Sequence, residues 1–101
     1  MRILYQEPGN GFVGIHYDDF LNAWVMHMDC KDWSPDTFKR YIKIWNTIII
    51  PQLKKEKIRF IYGLCESEKA VKFNKLFGVM PTGKVVTTAD GSQDILTMRR
   101  F

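Results

Sequence analysis

Residues 67 to 83 read Ser67-Glu-Lys-Ala-Val-Lys-Phe-Asn-Lys-Leu-Phe-Gly78-Val-Met-Pro-Thr-Gly83, and how they fold decides the architecture. Good helix formers fill the stretch up to Phe77, which predicts a helix over 66–77. Gly78 then supplies the left-handed backbone that ends helices, because it has no Cβ to clash there. The chain just before this helix, Arg59 to Cys65, is a short apolar run and reads as a buried strand. A strand, a helix and a further strand in succession imply a crossover within a sheet.

Upstream, Ser34-Pro35-Asp36 has the chemistry of a helix start. It offers a hydroxyl for orphan backbone N–H groups, a proline in the first turn, and an acid at the positive end of the dipole. Phe38, Tyr41, Ile42, Trp45, Ile48 and Ile49 follow at helical spacing and form one apolar stripe. Pro51 cannot donate to the helical ladder, so a kinked last turn is expected through 52–57. Trp45 and Ile49 are expected to be buried.

The chain opens with strands at 2–6, 12–17 and 23–29, separated by Pro8-Gly9-Asn10-Gly11 and by a connection at 18–22. In the third, Trp24, Met26 and Met28 share one face while Val25 and His27 share the other. Strands at 84–89 and 94–99 flank Asp90-Gly91 and should close the chain as a hairpin. The fold class is α+β, with a mixed, mostly antiparallel sheet and a central strand-helix-strand crossover.

A chain of 101 residues, 46% hydrophobic and 26% charged, has the composition of one globular domain over 1–101. Two cysteines, Cys30 and Cys65, are too few for a secreted disulfide scaffold, so a cytoplasmic setting is expected. The most apolar run, 45–51, falls far short of a membrane span. The net charge of +4 and a pI near 9.2 admit an anionic ligand or nucleic acid, but no clean basic stripe emerges, and lysines solvating the outer faces of two helices account for the charge better. His27 and Cys30 lack a second pair of metal ligands, so no metal site is expected. Cys65, at a strand end before a helix, is a candidate for a lowered pKa.

The pattern of 67–79 resembles a motif of the GNAT family of N-acetyltransferases, Asn-x-x-Ala-x-x-Phe-Tyr-x-x-x-Gly-Phe. Ala70, Phe73 and Gly78 stand in register with it, while Ser67, Asn74 and Val79 occupy its Asn, Tyr and final Phe slots. The resemblance covers about residues 23–101, with the usual N-terminal part reduced, and implies one helix on each face of the sheet. It places an acyl-CoA groove between the strands 23–29 and 59–65, with Met28, Asp29, Lys31, Ser34, Ser67, Phe73 and Asn74 as cofactor-site positions. His27 or Glu66 would be the general base, and Tyr62 is the nearest hydroxyl to replace the missing tyrosine acid.

In the family, the cofactor diphosphate rests on a glycine-rich helix start, the general chemistry of an anion site. The matching segment, Cys30-Lys31-Asp32-Trp33-Ser34-Pro35-Asp36, has no glycine, and its Asp32 and Asp36, with Asp29 just before it, would repel a diphosphate. That loss, with Asn74 in the acid's place, leads to the expectation of a non-catalytic GNAT-like domain that binds another protein of phage or host. It resembles the short GNAT-like proteins of tailed phages, which occur among virion and accessory proteins. On that reading there is no cofactor. The alternatives are a divergent acetyl-CoA-dependent N-acyltransferase and a basic nucleic-acid-binding domain. Self-association is a further option.

Overall fold

The computed structural model describes all 101 residues. Three strands open the chain: β1 (Arg2–Glu7), β2 (Gly11–Asp18) and β3 (Ala23–Cys30). A helical stretch follows as α1 (Pro35–Ile44), a π-helical turn (Trp45–Ile49) and α2 (Ile50–Lys55). Then come β4 (Phe60–Cys65), α3 (Glu68–Leu76), β5 (Met80–Thr87) and β6 (Gln93–Arg100). The six strands form one sheet in the order β1-β2-β3-β4-β6-β5. Only β3 and β4 run parallel; every other neighbouring pair is antiparallel. The fold is therefore α+β with a mixed, mostly antiparallel sheet, as the sequence implies.

The helices do not lie one on each face. Phe77, which caps α3, sits 5.6 Å from Phe38 and 5.8 Å from Trp45, ring centre to ring centre. Phe73 of α3 lies 4.7 Å from Trp33 and 6.0 Å from Phe38. Both layers thus cover the same side of the sheet. The strand order supplies the reason. From β3 to β4 and from β4 to β5 the chain steps in the same direction across the sheet, each time to a parallel strand. Right-handed crossovers taken in one direction must put both helices on one face.

That face holds the core. Val13, Ile15, Met26 and Ile61 of the sheet meet Tyr41, Trp45, Ile49, Leu53 and Phe77, all in one buried cluster. Alternation turns Gly14, His16, Val25, His27, Tyr62 and Leu64 to the opposite face, which carries no helix.

Pro51 neither ends the helix nor sharply breaks it. The π turn just before it widens the ladder, and Ile50 donates to the Trp45 carbonyl five residues back. A wide turn of this kind inserts about one residue into the helical phase. The buried stripe therefore runs Tyr41, Ile44, Trp45, Ile49, Ile50, Leu53, and Ile48 is turned out to solvent. Trp45 and Ile49 are buried as expected.

Ser34 accepts the Thr37 N–H and begins α1, while Ser67 accepts the Ala70 N–H and begins α3. Gly78 has φ +76°, the left-handed cap read from the sequence. β5 starts at Met80, earlier than expected, because it is an edge strand, where Pro81 breaks no pairing on its open side. Gly91 takes φ +86° in the closing hairpin, where the Asp90 side chain accepts the Ser92 N–H.

Candidate functional site: a cleft between diverging strands

The parallel strands β3 and β4 pair only where Val25 lies beside Tyr62. Beyond that point they part, and a cleft of about 220 Å³ opens between them. Met26, His27 and Met28 form one wall, Gly63 and Leu64 the other, and Ala70, Phe73 and Asn74 of α3 stand over it. Because His27 and Leu64 belong to the bare face and Met28 and Phe73 to the helical face, the cleft is lined from both sides of the sheet. Outward it adjoins a second hollow of about 290 Å³, which shares Met28, Ala70 and Phe73 and is rimmed by Trp33, Ser67 and Lys69.

Gly63 makes room for α3. A Cβ there would stand 2.5 Å from both Asn74 Oδ1 and Thr97 Oγ1. The Thr97 hydroxyl lies 3.1 Å from Asn74 Oδ1 and 3.1 Å from the Gly63 carbonyl, and Asn74 Nδ2 donates to the Ala70 carbonyl at 3.0 Å. Asn74 is thereby held as a neutral fixture of the cleft. It has no proton to lose or supply at neutral pH.

His27 is the ionisable group of the cleft, and it is not alone. Its Nε2 is 2.5 Å from His16 Nδ1 on the neighbouring strand, and the far nitrogen of His16 lies 3.8 Å from an Asp18 carboxylate oxygen. Ring centres 4.6 Å apart with an interplanar angle of 30° bring the two imidazoles together edge to edge. The Asp18 charge favours the proton on His16 Nε2, which leaves His16 Nδ1 as an acceptor. His27 Nε2–H then donates to it, and His27 Nδ1 carries the free lone pair. Burial, reinforced by the His16 charge and the N-terminal amine, holds the His27 pKa below the usual value of 6.5. The ring is neutral at pH 7 and able to accept a proton.

Of the residues singled out in the sequence, the cleft and its mouth bring together His27, Met28, Ser67, Phe73 and Asn74. Tyr62 does not join them. It sits on β4 at the closed end of the gap, with its ring 5.4 Å from that of Phe60. Glu66 is exposed on the turn into α3, and Asp29 and Lys31 are exposed at and beyond the end of β3. Ser34 is occupied by its own helix, with the Thr37 N–H bound to its Oγ at 3.2 Å. His27 and Cys30 turn to opposite faces of β3, and no group of three or more His, Cys, Asp or Glu side chains is placed to hold a metal ion. Both cysteines are free and buried, and burial pushes the Cys65 thiol up rather than down, so it is not an activated nucleophile.

Gly63, His16 and Asp18 were not among the site residues read from the sequence. The first is a spacing requirement of α3. The other two become partners of His27 only through the register of β2 on β3, which sets His16 opposite Val25 and diagonal to His27. No helix of the chain is long and apolar enough to cross a membrane. No protein-family model matches the chain, and no curated protein matches it either.

Proposed function

We propose that this is a GNAT-like domain whose cleft takes the acyl end of a thioester, and that it transfers the acyl group to an amine with His27 as the base. The observation carrying this reading is the parting of β3 and β4 after one pair, with a neutral, partnered histidine in the gap. The mixed sheet with its central strand-helix-strand crossover supports this reading, although both helices lie on one face.

The chemistry follows from the placement. A thioester laid in the cleft from the mouth at Met28 and Phe73 would present its carbonyl near Gly63, with His27 on the far side. An amine approaching over the bare face loses a proton to His27 Nδ1 as its nitrogen bonds to the carbonyl carbon. The C–S bond then breaks and the thiolate leaves. A thiol has a pKa of about 8.5, so its thiolate is a competent leaving group without a strong acid. The loss of the family's tyrosine to Asn74 therefore weakens turnover without forbidding it.

A second reading keeps the fold and drops the chemistry, leaving a protein-binding module such as a virion or accessory protein. It is favoured by the closed start of α1, where Ser34 takes the Thr37 N–H and Pro35 has none to offer. The two readings separate in one experiment. Thiol release from S-acetylpantetheine and acetyl-CoA is followed with a panel of primary amines, for the native protein and for His27→Ala. Amine-dependent release that falls by about 10²-fold or more in the variant, at unchanged melting temperature, supports acyl transfer. No release above the protein-free rate sinks it in favour of the binding module, and equal amine-dependent release by both proteins removes His27 as the base.

A further inference from the structure

We infer that the acyl donor is recognised through its pantetheine arm alone, and that the nucleotide diphosphate of coenzyme A adds nothing to its binding. The inference rests on the acyl-thioester reading of the cleft and names the part of the donor that the protein grips.

A diphosphate on a helix start needs several free, convergent N–H groups and little negative charge nearby. At the start of α1 those groups are already used. Pro35 has no N–H, the Thr37 N–H is bound by Ser34 Oγ at 3.2 Å, and the Phe38 N–H is bound by the Ser34 carbonyl at 2.9 Å. That leaves the N–H of Asp36, on a residue that itself carries a negative side chain. Asp29 and Asp32 add two more carboxylates to the same short segment, against the one ammonium of Lys31. Trp33, which follows Asp32, is packed 4.7 Å from Phe73 and 5.1 Å from Tyr41, so the segment cannot peel away without opening an aromatic cluster.

The arm meets none of these obstacles. It is uncharged, amide-bearing and thin, and the cleft with its outer hollow offers it apolar walls at Met28, Ala70 and Phe73 beside the polar groups of Ser67, Lys69 and Asn74. In the sequence, the missing phosphate seat and the missing acid at Asn74 together argue against any acyl donor. In the fold they are separate places, and only the seat is closed.

Calorimetric titration of the native protein with acetyl-CoA, S-acetylpantetheine and adenosine 3′,5′-bisphosphate tests the inference. The expected result is dissociation constants for the two thioesters within about threefold of each other and no binding of the bisphosphate at millimolar concentration. Acetyl-CoA binding ten times or more tightly than S-acetylpantetheine overturns the inference while leaving the acyl reading intact. Failure of both thioesters to bind overturns the acyl reading and this inference together.

Discussion

Asn74 of α3 lies directly over Gly63 of β4, so close that the missing Cβ of the glycine is what lets the helix approach the sheet. The Asn74 side chain is tied to Ala70 and lies beside Thr97, and cannot swing clear without losing both partners. Gly63→Ala should therefore lift α3 locally and cost about 1–3 kcal/mol, the usual penalty for overpacking. The cleft should narrow with it. A denaturant midpoint equal to that of the native protein would show that α3 is not held at this distance.

The π turn makes a prediction about neighbouring residues. Ile48→Asp should change stability by no more than about 0.5 kcal/mol, since the side chain is 47% exposed. Ile49→Asp should unfold the domain, because Ile49 is fully buried and an unpaired charge there costs several kcal/mol, on the order of the stability of a small domain. Circular dichroism melts of the two variants decide it. Equal melting temperatures, or a reversed order, would refute the phase shift at Trp45–Ile49.

How far the sequence carries can be seen at these positions. Apolar spacing marks the helical stretch, but periodicity assumes a constant turn, so it assigns Ile48 to the core. A π turn is a cooperative response of the ladder to Pro51 and leaves no pattern of its own. The placement of both helices on one face depends on β6 lying between β4 and β5, a long-range pairing that no local signal encodes. Along the cleft, Met28, Phe73 and Asn74 are positions to which the resemblance in 67–79 points, and His27 is an ionisable group on the strand expected to line the groove. Asp18 and His16 are not, because a diagonal neighbour requires the register of β2 on β3. The start of β5 was hidden by Pro81 and Gly83, breakers that an edge strand tolerates.

Glu7, at the end of β1, anchors the sheet to α1. Its carboxylate accepts from Arg40 at 2.7 and 2.9 Å, from the Tyr5 hydroxyl at 2.6 Å and from Asn10 at 2.6 Å. The Arg40 hydrogen bonds above all, then that of Tyr5, hold its pKa down at about 2. A depressed folded pKa means that the unfolded chain binds the proton first. The stabilisation is present above the unfolded value of 4.5 and is lost as the pH falls toward 2. Glu7→Gln should cost on the order of 1 kcal/mol at pH 7, as for a partly exposed ion pair, and progressively less as the pH falls from 4.5 through 2. Glu56 and Asp90 titrate in the same window, so the informative quantity is the difference between native and variant melts across it. A difference that does not shrink on acidification would remove Glu7 from this role.

The histidine pair gives the sharpest pH prediction. The groups facing His27 are His16 on β2, Asp18 beyond it and the N-terminal amine, and burial is the largest influence on its pKa. Replacing His16 with Phe removes the one neighbouring imidazole that disfavours a charge on His27 but leaves the burial. The His27 pKa should rise toward 6.5 without reaching it. For the native protein a lowered pKa means that the unfolded chain takes up the proton first, so stability falls as the pH drops from 6.5 toward the folded value. In His16→Phe that loss should be smaller, and the acid limb of any acyl transfer should move to higher pH. Ring ¹⁵N chemical shifts followed through a pH titration report the His27 titration directly, and at neutral pH they should show its proton on Nε2 in the native protein. A proton on Nδ1, or a His27 titration that His16→Phe leaves in place, would break the Asp18–His16–His27 chain as a determinant of the base.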